Sequence, residues 1–168
     1  MVNFVKKVQK KAGGDLLAGE SILDARVVQP AGSAFRNAIS AGVAAHTGAL
    51  IDQRIDRWRR GAEAAARGDI EATGGVAVDF PTVKSFFTLT NQRVLVHSFA
   101  AMSGAPKDLL AVYPLSDFAG MEAAAGKLVG KLHLYFLDGS AVSLDVMKGG
   151  GNPQALVDAF NNALTAWD

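Results

Sequence analysis

The segment from Phe86 to Phe99, Phe-Phe-Thr-Leu-Thr-Asn-Gln-Arg-Val-Leu-Val-His-Ser-Phe, constrains the fold more than any other part of the chain. Two runs of β-branched, aromatic and aliphatic residues flank Asn91-Gln92. That is the pattern of two antiparallel strands joined by a tight turn. Similar strand patterns surround it. Glu20–Gln29 reads as a first strand, ended by Pro30 and Gly32. Lys84–Thr90, Arg93–Ala100, Leu109–Tyr113 and Asp117–Ala123 follow, separated by Asn-Gln, Ser-Gly-Ala-Pro and Pro-Leu-Ser breaks. Val76–Phe80 reads as one further short strand within a turn-rich return from Gly68 to Pro81.

Lys131–Leu137 and Ala141–Val146 form a last hairpin whose register can be argued from its pattern. Leu132, Leu134 and Phe136 alternate with polar residues, as do Val142, Leu144 and Val146. A two-residue Asp138-Gly139 loop would set Leu134 opposite Ser143 and send the two apolar rows to opposite faces. A three-residue loop, Leu137-Asp138-Gly139, sets Leu134 opposite Val142 and Leu132 opposite Leu144. It also places Gly139 where such loops need a left-handed residue. The three-residue loop is the expectation.

After Gly149-Gly150-Gly151 comes a final helix, with Asn152 as N-cap and Pro153 at N1, where its missing N–H costs nothing. Leu156, Phe160, Ala163, Leu164 and Trp167 make one apolar stripe, which needs the sheet as its burial partner.

Two segments have a different texture. In residues 1–12, Val2, Phe4, Val5, Val8 and Ala12 fall on one side of a helix and Lys6, Lys7, Lys10 and Lys11 spread over the other, until Gly13-Gly14 stops it. Such a short helix is marginal alone. Two readings follow: a frayed basic tail, or a helix that docks on a membrane, a partner or its own domain. From Ser33 to about Arg67 the chain is alanine-rich, with Phe35, Ile39 and Val43 at helical spacing. Phe35, Ala38, Gly42, Ala45 and Ala49 offer a face of mostly small residues suited to close helix contact, and this is the expected association face. Arg36, Asn37, His46 and Thr47 argue against a membrane-spanning helix there.

The hairpin with Thr90-Asn91-Gln92-Arg93, the flanking strands, the step Tyr113-Pro114-Leu115-Ser116-Asp117-Phe118 and the final helix resemble the bacterial pleckstrin-homology-like family. Residues 84–167 carry most of the likeness. It implies an α+β, mainly antiparallel fold: a bent, partly open barrel of about seven strands capped by the C-terminal helix. This chain departs from the family where residues 30–83, with the helical insert at about 33–67, separate the first and second strands. The expected organisation is a basic arm over 1–18 and one domain over 19–168. Within the family Arg93 resembles a recurrent position, expected to brace the hairpin rather than to bind ligand.

Composition narrows the function classes. Cysteine is absent, so disulfides and thiolate metal sites are excluded and a reducing cytoplasm fits. No secretory-type apolar run opens the chain, and none is long enough to span a bilayer. The net charge of +1 conceals four N-terminal lysines, with 13 basic and 16 acidic side chains in the remainder. A nucleic-acid-binding domain should be basic across a face, so no nucleic-acid partner is expected. His46, His97 and His133 are too scattered for a ligand set, and no metal or other cofactor is expected. No nucleophile elbow or phosphate loop is present. Asp52 and Asp56 lie beside Arg57, Arg59 and Arg60, which reads as solvated ion pairs rather than acid–base chemistry.

The expectation is therefore a non-catalytic binding or scaffolding module, cytoplasmic and peripheral to a membrane where Lys6, Lys7, Lys10 and Lys11 meet an anionic surface. Its protein partner is not legible in the sequence. The alternative is a self-assembling homo-oligomer; a small-molecule carrier or enzyme ranks below both.

Overall fold

The computed structural model describes residues 3–31, 75–81, 83–124, 130–147, 149 and 151–166. The expected insert over 33–67, its association face (Phe35, Ala38, Gly42, Ala45, Ala49) and Trp167 lie outside these residues. The elements, in chain order, are α1 (Phe4–Ala12), β1 (Ile22–Pro30), β2 (Ser85–Thr90), β3 (Arg93–Ala100), β4 (Ala105–Pro114), β5 (Phe118–Ala124), β6 (Gly130–Phe136), β7 (Ala141–Val146) and α2 (Pro153–Thr165). Short 3-10 turns occupy Gly13–Asp15, Val76–Asp79 and Leu115–Asp117.

Seven strands make one sheet in the order β4-β3-β2-β1-β7-β6-β5, every neighbouring pair antiparallel. Side chains alternate across it. Phe87, Leu89, Val94 and Val96 point to the inner face, where they join Leu132, Leu134, Phe136, Leu144 and Val146. Phe86, Val27 and Ala25 point outward into a second, smaller cluster. All six residues of β2 are buried. A strand covered on both faces needs no polar alternation, which explains the nearly unbroken apolar texture of the Phe86–Phe99 hairpin.

Helix α2 plugs the inner face. Asn152 Oδ1 accepts from Gln154 N at 3.0 Å and Pro153 opens the first turn, so the N-terminus is capped as expected. Leu156, Val157, Phe160 and Ala163 are buried against the sheet. Phe160 meets Phe118 edge-on at 5.2 Å, and Phe118 stacks on Phe136 at 4.9 Å. A Cβ on Gly130 would come within 2.8 Å of Pro153 Cγ, so the glycine lets the first turn of α2 sit directly on β6.

The last hairpin has the expected register, Leu134 opposite Val142 and Leu132 opposite Leu144. Gly139 takes φ +86° in its three-residue loop. Three expectations are corrected. Pro30 does not lie beyond the end of β1 but is its last residue, paired with Leu144, where its missing N–H is tolerated. Strand β4 begins at Ala105 rather than Leu109; Pro106 is accommodated because β4 is an edge strand with irregular register opposite His97–Phe99. Val76–Phe80 is not a strand. Its backbone donors are taken by side chains instead, Val76 N by Asp138 Oδ2 at 2.7 Å and Ala77 N by Ser140 Oγ at 3.1 Å. Phe80 then stacks on Tyr113 at 5.4 Å, and the Tyr113 hydroxyl donates to Asp79 O. Burial, with the Asp79 charge nearby, pushes the Tyr113 phenol up to about 12, so it remains a donor.

Candidate functional site

Among the described residues, the expected basic arm is a docked helix. Asn3 Oδ1 caps α1 by accepting from Lys6 N at 3.0 Å, and Lys10 and Lys11 sit in the last turn, favourable for the helix dipole. Val8 and Ala12 are buried against Ala25, Val27 and Phe86, with Phe4, Val5, Ile22, Phe99 and Met147 around them. Phe4 meets Phe86 edge-on at 5.8 Å, and Phe86 stacks on Phe99 at 5.6 Å. The four lysines are thereby divided. Lys7 is half-buried and its Nζ donates to Gly104 O at 3.0 Å, whereas Lys6, Lys10 and Lys11 remain exposed.

The C-terminal end of α1 is held by a polar network that sequence reasoning did not find. His97 is fully buried on β3, and its Nε2 lies 3.1 Å from Asp15 Oδ2. Arg93 donates to Asp15 O at 2.8 Å and makes a two-pronged contact with Glu20, Nε to Oε1 and Nη2 to Oε2, both at 2.9 Å. Glu20 also accepts from Leu17 N and from the Thr90 hydroxyl, each at 2.7 Å. Burial works against the Glu20 charge, but the hydrogen bonds from Arg93, Leu17 and Thr90 and the guanidinium charge outweigh it and hold the carboxyl below its ordinary range. The same pairing raises Arg93, so both groups stay ionised.

Arg93 therefore braces the chain that enters β1, rather than the hairpin it opens. The hairpin is braced by Thr90, whose Oγ1 accepts from Gln92 N and Arg93 N. His133, on β6, contacts Ser143 Oγ through Nδ1 at 2.7 Å, a cross-strand polar pair far from His97 in the strand order. No group of three histidine or acidic side chains suited to a metal occurs among the described residues.

Strand register gathers a second set of residues at one end of the sheet. The end of β1, the start of β2, the β3–β4 turn and the β6–β7 loop all fall there. Each of three connections at this end exposes an apolar side chain: Val83 before β2, Met102 at the tip of the β3–β4 turn, and Leu137 in the β6–β7 loop. Lys7 reaches the β3–β4 turn from α1. Lys84 Nζ stands 4.1 Å from the centre of the Phe99 ring, a cation–π contact. Lys107 projects from the first turn of β4, beside Asp108 Oδ2 at 3.5 Å. The sequence signals were the lysines themselves; their convergence depends on the β2–β3–β4 register, which no local pattern displays.

The strand order, the inner core and the capping α2 define a pleckstrin-homology-like fold, as the resemblance implied. No protein-family model matches the chain, and no curated protein matches it. Among solved structures, the Vps36 N-terminal PH domain is similar at 21% identity and TM-score 0.39, over 52% of this chain and 67% of that one. A DUF1696 family protein with a pleckstrin-homology domain from Shewanella loihica PV-4 is similar at 14% identity and TM-score 0.38, over 50% of this chain and 74% of that one. Among the described residues, no helix is long and apolar enough to cross a membrane.

Proposed function

We propose that this chain is a non-catalytic binding module that docks reversibly on an anionic membrane surface through the end of the sheet bearing Val83, Met102 and Leu137. The observation that carries the reading is the combination at that end of three exposed apolar side chains with Lys7, Lys84 and Lys107. Apolar tips that enter the headgroup layer, ringed by lysines that stay at its surface, form an interfacial rather than a spanning contact. Lysines near an anionic leaflet contribute about 1 kcal/mol each, and salt screens them. Asp108 offsets part of the Lys107 charge, and Lys6, Lys10 and Lys11 lie exposed on α1.

Co-sedimentation with phosphatidylserine-containing vesicles at low salt tests this. The protein should pellet with them and not with purely phosphatidylcholine vesicles. Met102→Asp and Leu137→Asp should each reduce the bound fraction severalfold, and Lys6, Lys10 and Lys11 to Gln together should lower binding at low salt and make what remains less salt-sensitive. Equal binding to neutral vesicles, or none to anionic ones, contradicts the proposal.

A second reading rests on β4. Among the described residues this strand is an edge, and it exposes Leu109, Leu110 and Val112, apolar side chains that favour pairing between copies of the chain. Light scattering that finds an oligomer, reduced to monomer by Leu110→Lys, would support self-assembly.

A further inference from the structure

The apolar side of α1 is committed to the sheet, and that side is also the one an anionic bilayer would take. Phe4, Val5, Val8 and Ala12 cannot occupy both places. The docked arrangement leaves costs beneath the helix. Thr88 is flanked in register by Ala25 and Leu95 on the covered outer face, and its hydroxyl is fully buried without a partner among the described residues. His97, one step along the same face, uses Nε2 on Asp15 while its buried Nδ1 has no partner among the described residues. Leaving such groups unsatisfied works against the docked arrangement. Beside its apolar contacts, the polar contacts that hold the helix down among the described residues are Lys7 on Gly104 O, from within the helix, and Asp15 on His97 and Arg93, just beyond its C-terminal end.

From these features we infer that α1 is a lid: it leaves the outer face of the sheet when an anionic bilayer offers its apolar side a better partner, and the Asp15–His97 contact sets the threshold. The inference rests on the membrane reading above and adds its regulation. In the docked state only the lysine side of α1 is available and binding is weak. In the released state the helix lies in the interface, and Ala25, Val27 and Phe86 are uncovered.

The absence of cysteine makes a single reporter thiol possible. Ala25→Cys, buried under α1, is to be labelled with a water-soluble maleimide, alone and combined with Asp15→Asn, with and without phosphatidylserine vesicles. Labelling should be slow in solution and accelerate about tenfold or more on anionic vesicles but not on neutral ones. Asp15→Asn should accelerate it without vesicles and increase the fraction that co-sediments. Protein that co-sediments while its labelling rate stays unchanged overturns the lid and leaves the membrane reading standing. Protein that neither co-sediments nor changes its labelling rate overturns both.

Discussion

Two amphipathic helices cover the two faces of one sheet, and they do so on different terms. Helix α2 buries Leu156, Val157, Phe160 and Ala163 in the larger core, among rings from β5 and β6, over a surface with almost no polar demand. Helix α1 buries only Val8 and Ala12 fully, over a face that includes Thr88 and His97, and depends also on polar contacts from Lys7 and Asp15. Apolar burial is non-directional and hard to exchange for anything in solution. A helix held by a smaller apolar cluster and a few polar contacts is easier to trade for another partner. The sheet's inner face thus carries the stability of the domain, and its outer face carries an element free to move.

Substitutions that should break this contrast differ in size. Phe160→Ala empties the most enclosed position on α2 and should cost about 3–5 kcal/mol, enough to leave much of the protein unfolded by calorimetry. Glu20→Gln strips Arg93 of its buried partner and should cost about 3 kcal/mol in urea denaturation, the lower end of the range for a broken buried pair, because Arg93 keeps some solvent contact. The same pair gives a sign to acid stability. Since Glu20 titrates below its unfolded value of 4.5, its contribution is complete above that pH and is lost as pH falls through the folded value. The Gln variant should therefore show a shallower acid loss than the parent. Val8→Ala removes two methyl groups from under α1 and should cost about 1–2 kcal/mol, read as faster local opening of α1 with little change in the global midpoint.

What the sequence disclosed follows the same division. Thr90-Asn91-Gln92-Arg93, the Leu137-Asp138-Gly139 loop, and the Asn152-Pro153 start of α2 are local signals, each decided by residues within a few positions, and the structure has all three. The short strand read at Val76–Phe80 failed because its donors are captured by Asp138 and Ser140, side chains more than sixty positions distant. Lys6, Lys7, Lys10 and Lys11 were legible as a basic arm, but not the sheet face that the apolar side of their helix covers. Asp15 and His97 are separated by 82 positions, and only the completed sheet brings them together. Nothing in the sequence marks Met102, Val83 and Leu137; strand register alone places them at the same end of the sheet.

Amide hydrogen exchange on the unmodified protein tests the contrast between the helices most directly. The amides of α2 should exchange only through global unfolding, and those of α1, too short to persist once detached, through a local opening of clearly lower free energy that anionic vesicles alter. Equal protection of the two helices, tracking global stability under denaturant, would contradict the account.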